Sequence, residues 1–147
     1  MISRYARRIC SSEAKIMVAL IKNNIPFLLL LVATYLTSFH SFLLFHTLAE
    51  LFSIIIACVT FVLILNTRRF ALNAYLLLVG ISCFFVAAVD LVHTLAYKGM
   101  GVITGYDANL PTQLWILART LESASLVAAP LLMGRSLKMG NIFIFYL

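Results

Sequence analysis

Between Phe42 and Leu65 the chain carries only two ionisable groups, His46 and Glu50, in a run dominated by leucine, isoleucine, valine and phenylalanine. Such a run suits lipid, and lipid leaves the backbone one economical solution. Every N–H and C=O must bond within the segment, so the segment is a helix. Ile25–Phe39, Asn73–Tyr97 and Thr112–Met133 share this character. A bilayer takes about 20 apolar residues per helix. Three of the four stretches reach that length. The first is short, so it is expected to begin earlier or to be met by a locally thinner membrane. Asn23 and Asn24 followed by Pro26 would make a helix start there, because proline in a first turn loses no hydrogen bond. The lysine-spaced residues 14–22 suit an interfacial helix or an extension of that first span.

Composition agrees. Hydrophobic residues make up 63% of the 147, against about 45–50% in soluble domains, and mean hydropathy is +1.06. The expected fold is all-α: a polytopic transmembrane helix bundle with four full spans and the start of a fifth at Asn141–Leu147. Residues 1–24 are expected to form a basic, cytoplasmic N-terminal segment, and residues 25–147 one membrane-embedded domain, expected to be incomplete at its C-terminus. No small-x-small site follows the basic N-terminus, so the first span is expected to stay uncleaved. Cys10 lacks the apolar lead-in of a lipoprotein signal. Cys58 and Cys83 fall in apolar runs and are expected as small core residues.

A net charge of +6 could suggest nucleic acid, but its placement argues otherwise. Arg4, Arg7, Arg8, Lys15 and Lys22 precede the first span. Arg68 and Arg69 follow the second, and Arg135 and Lys138 follow the fourth. Nine of the eleven basic residues thus fall on one side by alternation, which predicts a cytoplasmic N-terminus. The expected location is the cell's inner (plasma) membrane, with the lipid bilayer as partner and no nucleic acid. Tyr97, Tyr106 and Trp115 read as belt aromatics of the opposite interface. Lys98 and His40 read as loop residues near it.

Ionisable groups inside the spans are the anomaly. One at mid-depth costs about 2.5–3.5 kcal/mol or more. His46, Glu50, Asp90, His93, Arg119 and Glu122 are all so placed, and they include three of the chain's five acidic residues. His46 and Glu50 are spaced i,i+4. Asp90 and His93 are i,i+3, as are Arg119 and Glu122, with Trp115 one turn before Arg119. Each set shares one helix face. At about 1.5 Å per residue, the alternating topology brings Glu50, Asp90, Arg119 and Glu122 to a similar depth, roughly 10–15 Å below the outer boundary. His46 and His93 lie nearer the surface. One shared polar site in the outer half is expected, with His46, Glu50, Asp90, His93, Trp115, Arg119 and Glu122 binding a ligand.

Several chemistries are open to it. Histidine and carboxylate are ligand types for zinc, iron, manganese or copper, which makes His46, Glu50, Asp90 and His93 candidate metal ligands. A haem between two histidines is a further cofactor option. Arg119 could bind an anionic or quinone-like ligand, and the histidines could respond to protons. The structural alternative is an ion pair of Arg119 with Glu122 or Asp90 that only fixes helix packing. No nucleophile elbow, P-loop or CxxC pair is present, so no catalytic residue is assigned and no enzyme activity is expected.

Three segments also carry a family resemblance: Phe45-His46-Thr47-Leu48-Ala49-Glu50-Leu51, then Asp90-Leu91-Val92-His93-Thr94-Leu95-Ala96-Tyr97-Lys98-Gly99, then Thr112-Gln113-Leu114-Trp115-Ile116-Leu117-Ala118-Arg119-Thr120-Leu121-Glu122. Together they resemble the MASE3 family of bacterial and archaeal membrane-associated sensor domains, over roughly residues 26–135. The resemblance implies a sensory input module of a signalling protein, followed by further membrane helices and by cytoplasmic PAS, histidine kinase or diguanylate cyclase domains. It also implies a homodimer, since such outputs act in pairs. The alternatives are a small redox or transport subunit holding haem, quinone or metal, and a non-functional gene fragment.

Overall fold

A computed structural model describes residues 2–67, 73–135 and 138–147, with side chains described from Lys15 onward except that of Ile16. The side chains of Arg4, Arg7, Arg8 and Cys10, and the whole of Arg68 and Arg69, lie outside the described residues. The described chain is all-helical: α1 (Ile2–Thr37), α2 (Phe42–Thr67), α3 (Ala74–Ala96), α4 (Asn109–Leu131) and α5 (Met139–Tyr146). Four helices are long and apolar enough to cross a membrane: Met17–Thr37 within α1, then α2, α3 and α4. The chain divides into two compact units, Met1–Phe45 and His46–Leu147.

In the first unit, α1 runs without a break through Pro26. The helix start expected at Asn23–Pro26 is therefore corrected: the apolar span begins earlier, at Met17. Pro26 removes one intrahelical bond, the one its N–H would have made to Lys22. One turn away, the Asn24 side-chain amide donates to the Leu20 carbonyl at 2.7 Å, adding a local bond beside the interrupted ladder. Thr34 does the same to Leu30 at 2.9 Å.

The second unit is organised around α3, the most buried of the spans. Asn73 opens it as N-cap, its side chain accepting from the Tyr75 N–H at 3.0 Å, which satisfies one of the donors a helix start leaves unpaired. Its buried residues include Leu77, Leu78, Ile81, Asp90, His93 and Thr94, repeating at the three-and-four spacing of a single helix face. Toward its N-terminal end that face is apolar. Leu77, Leu78 and Ile81 pack with Ala129 of α4 and Ile142 of α5, flanked by Phe61, Phe85, Phe143 and Tyr146. Phe85 and Tyr146 stack with centroids 5.1 Å apart, and the Tyr146 hydroxyl bonds Ser125 Oγ of α4.

Gly80 lets α2 approach α3. A Cβ there would lie 2.7 Å from Cγ2 and 2.9 Å from Cβ of Ile64. Close approach through small residues is how helices associate in lipid, where burial from water no longer drives them together. Hydroxyls inside the spans are satisfied locally: Thr60, Thr94 and Thr120 each donate to the carbonyl four residues back, at 2.7–2.8 Å. Cys58 is exposed and Cys83 half-buried, so the expected core role fails for Cys58, whose side chain faces outward from α2. After Ala96, α3 ends in a turn in which Gly99 and Gly101 take positive φ, a conformation that favours glycine.

Candidate functional site

At the C-terminal end of the α3 face the character changes from apolar to charged. Asp90 is only 2% exposed. Its neighbour across the helix interface is Arg119 of α4, whose Nη2 bonds Asp90 Oδ2. The other terminal nitrogen, Nη1, donates to Glu122 Oε2 at 2.6 Å. One guanidinium therefore joins two carboxylates, one on each helix, using the fork that distinguishes arginine from lysine. Glu50 of α2 also acts on Arg119 electrostatically. Asp90 Oδ1 and Arg119 Nε are buried with no hydrogen-bond partner.

One turn further along α3 lies His93, 4% exposed. It stands in the last turns of α3, where the first turn of α4 covers it. His93 Nδ1 meets the carbonyl oxygen of Pro111 at 2.7 Å. A carbonyl can only accept, so Nδ1 carries the proton. In the neutral imidazole Nε2 then carries the lone pair, and this atom is buried without a hydrogen-bond partner. His46 of α2 stands beside it, with ring centroids 5.6 Å apart. Tyr97 covers His46 at 4.1 Å between centroids. Thr47, the next residue on α2, donates to Met100 Sδ at 3.4 Å, tying α2 to the turn after α3. His46, Glu50 and His93 each offer one ligand atom, and these atoms all lie within 4.8 Å of one another.

The spacing argument thus leads to two adjoining groups. The first is an ion-paired group of Asp90, Arg119 and Glu122. The second is an imidazole–carboxylate group of His46, Glu50 and His93. Asp90 belongs to the first, and the metal-capable set among the described residues does not include it. Trp115 is in neither. It is exposed and lines, with Arg119, Thr120 and Ser123, an open groove along α4. Tyr97 and Pro111 were not in the expected site. Tyr97 passed as a belt aromatic, and Pro111 contributes a backbone oxygen, which side-chain identity does not announce.

Four long apolar helices, three of which bring a partly buried, histidine-bearing charged cluster together, define a class: a polytopic membrane domain with a polar centre among its helices. The sequence model of the membrane-associated sensor domain MASE3 matches residues 37–147, and the chain belongs to that family. The match takes in α2 to α5 and leaves nearly all of α1 outside it. No curated protein and no solved structure matches the chain.

Proposed function

We propose that this chain is the membrane-embedded sensory input module of a bacterial or archaeal signalling protein, of the histidine kinase or diguanylate cyclase type. A membrane sensor is what the family describes. The stimulus is a small ligand, a metal ion or a redox-active molecule that meets the polar centre. The observation that carries this reading is the ion pair of buried Asp90 with half-buried Arg119 joining α3 to α4, next to the unpartnered Nε2 of His93. A purely structural ion pair has no use for a buried, preset imidazole lone pair beside it.

The centre can act as an input only if occupancy favours one helix arrangement over another. Competition for Asp90 or Arg119 supplies that difference, because the same contact holds α3 against α4. The basic residues ahead of the first apolar stretch, Arg4, Arg7, Arg8 and Lys15, and those after α4 support a cytoplasmic N-terminus in the plasma membrane, with the polar centre in the outer half. Output domains on the cytoplasmic side would act as a homodimer.

The test is a chimaera in which residues 37–147 replace the corresponding segment of a kinase or cyclase of the same family. Asp90→Asn and His93→Gln are expected to lock or abolish regulated output while the protein still inserts and folds. Unchanged regulation in both variants, with normal membrane levels, rejects the reading.

A further inference from the structure

The geometry points to a divalent transition-metal site formed by His46, Glu50 and His93, which names the ligand class for the polar centre and rests on the reading above. Three observations converge on it. The first is the donor set. Two imidazoles and one carboxylate, from α2 and α3, place their ligand atoms within 4.8 Å of one another. Nitrogen-rich sets of this kind suit zinc, iron, cobalt, nickel or copper, whereas magnesium and calcium take oxygen ligands. Metal bonds of about 2.0–2.1 Å hold tetrahedral ligands roughly 3.3–3.4 Å apart, so binding would draw these side chains inward.

The second is the state of His93. Its Nδ1–H is committed to the Pro111 carbonyl at 2.7 Å, and its Nε2 is buried without a hydrogen-bond partner. A histidine that binds a metal through one nitrogen characteristically donates the other N–H to a carbonyl or carboxylate, which fixes tautomer and ring orientation. His93 already has that arrangement, and a buried, unpaired polar atom is costly unless something meets it.

The third is charge. Glu50, Asp90 and Glu122 surround one cation, Arg119. With the carboxylates ionised, the centre holds two negative charges in excess inside a membrane domain. One divalent cation cancels them. Two histidines and a carboxylate leave at least one coordination position open, so the ion could itself receive a further small ligand.

Binding of this kind couples to helix position. The ligands lie on α2 and α3, and Glu50 also acts on Arg119 of α4. A cation at Glu50 changes the field that Arg119 feels, so an ion at one group changes the charge balance of the other.

Cobalt(II) titration of the purified full chain in detergent tests this, with visible d–d absorption and elemental analysis as readouts. Expected is one cobalt per chain, a d–d spectrum of four- or five-coordinate intensity, no thiolate charge-transfer band, and displacement by zinc. His93→Gln and Glu50→Gln should each weaken binding by at least about 10-fold, the lower end of what even supporting partners of a metal site cost. Circular dichroism decides which variant is folded and can be read. If the folded chain binds no stoichiometric metal, or binds it equally well in either folded variant, the metal site is overturned. That result leaves the sensory reading intact, because regulated output in the Asp90→Asn and His93→Gln chimaeras is measured without added metal.

Discussion

His93 and Pro111 are joined by a hydrogen bond of 2.7 Å between Nδ1 and the proline carbonyl, which binds the last turns of α3 to the first turn of α4. This bond sets which imidazole nitrogen faces the interior. Histidine occurs only three times in the chain, so the tautomer is directly measurable. Nitrogen-15 NMR of the histidine-labelled protein is expected to show the neutral form of His93 as the Nδ1–H tautomer. His93→Gln assigns the signal. An Nε2–H tautomer would contradict the structure.

The Asp90–Arg119 contact gives a stability prediction. Arg119→Met leaves a buried carboxylate without its cation. Breaking a fully buried pair costs about 3–5 kcal/mol. Arg119 is 36% exposed along its side chain, so we expect less, roughly 2–3 kcal/mol, in a reversible denaturation titration in mixed micelles. Adding Asp90→Asn to this variant should recover a large part of the loss, because the second change removes the orphaned charge. No recovery would show that Arg119 matters through its packing alone.

At Gly80 the prediction concerns space. A methyl group there meets both Cγ2 and Cβ of Ile64, and the Cβ cannot swing away. Gly80→Ala should therefore push α2 from α3 and destabilise by about 1–3 kcal/mol, the usual range for overpacking. Ile64→Ala in the same chain should relieve most of it. A neutral or stabilising Gly80→Ala would mean that the two helices are not held this closely.

Tyr146 offers a smaller effect. Its hydroxyl bonds Ser125 while its ring stacks on Phe85. Tyr146→Phe keeps the ring and loses only the bond, so the expected cost is about 0.5–1.5 kcal/mol. Tyr146→Ala, which also empties the stack against α3, should cost clearly more. Equal effects from the two would place the whole contribution in the hydroxyl.

The four spans were legible because lipid permits so few backbone solutions. The stretch Asn73–Tyr97 ends on the two residues that cap α3. The exception was Pro26. Proline is a start signal by local propensity, yet inside an apolar helix the cost of breaking off exceeds that of one lost bond. The charged residues of the site were legible from spacing and depth together. Their division into two groups was not, since i,i+3 and i,i+4 rules locate a face but not the partner it meets. The sequence offered Asp90 and Glu122 as partners for Arg119, and both pairs form, but spacing could not show that His93 turns to His46. Nor could it show the Pro111 carbonyl, because every residue has one.

The division of the Asp90–Arg119 pair between consecutive spans has a consequence for biogenesis. α3 alone brings the unneutralised Asp90 to the insertion machinery, at about 2.5–3.5 kcal/mol if placed centrally, and α4 alone brings two charged groups, Arg119 and Glu122, with only each other as partners. α4 is also the least hydrophobic of the last three spans, with hydropathy 1.2 against 2.3 for α3. The connection between them is short, from Tyr97 to Ala108. The favourable course is for α3 and α4 to leave the translocon as a hairpin, with the salt bridge made as they enter lipid. Engineered glycosylation sites flanking α4 should accordingly report efficient insertion when α3 precedes it and poor insertion when Asp90 is replaced by leucine. The residue order of the gene then doubles as an assembly schedule, in which the acid must be synthesised and held until its base arrives.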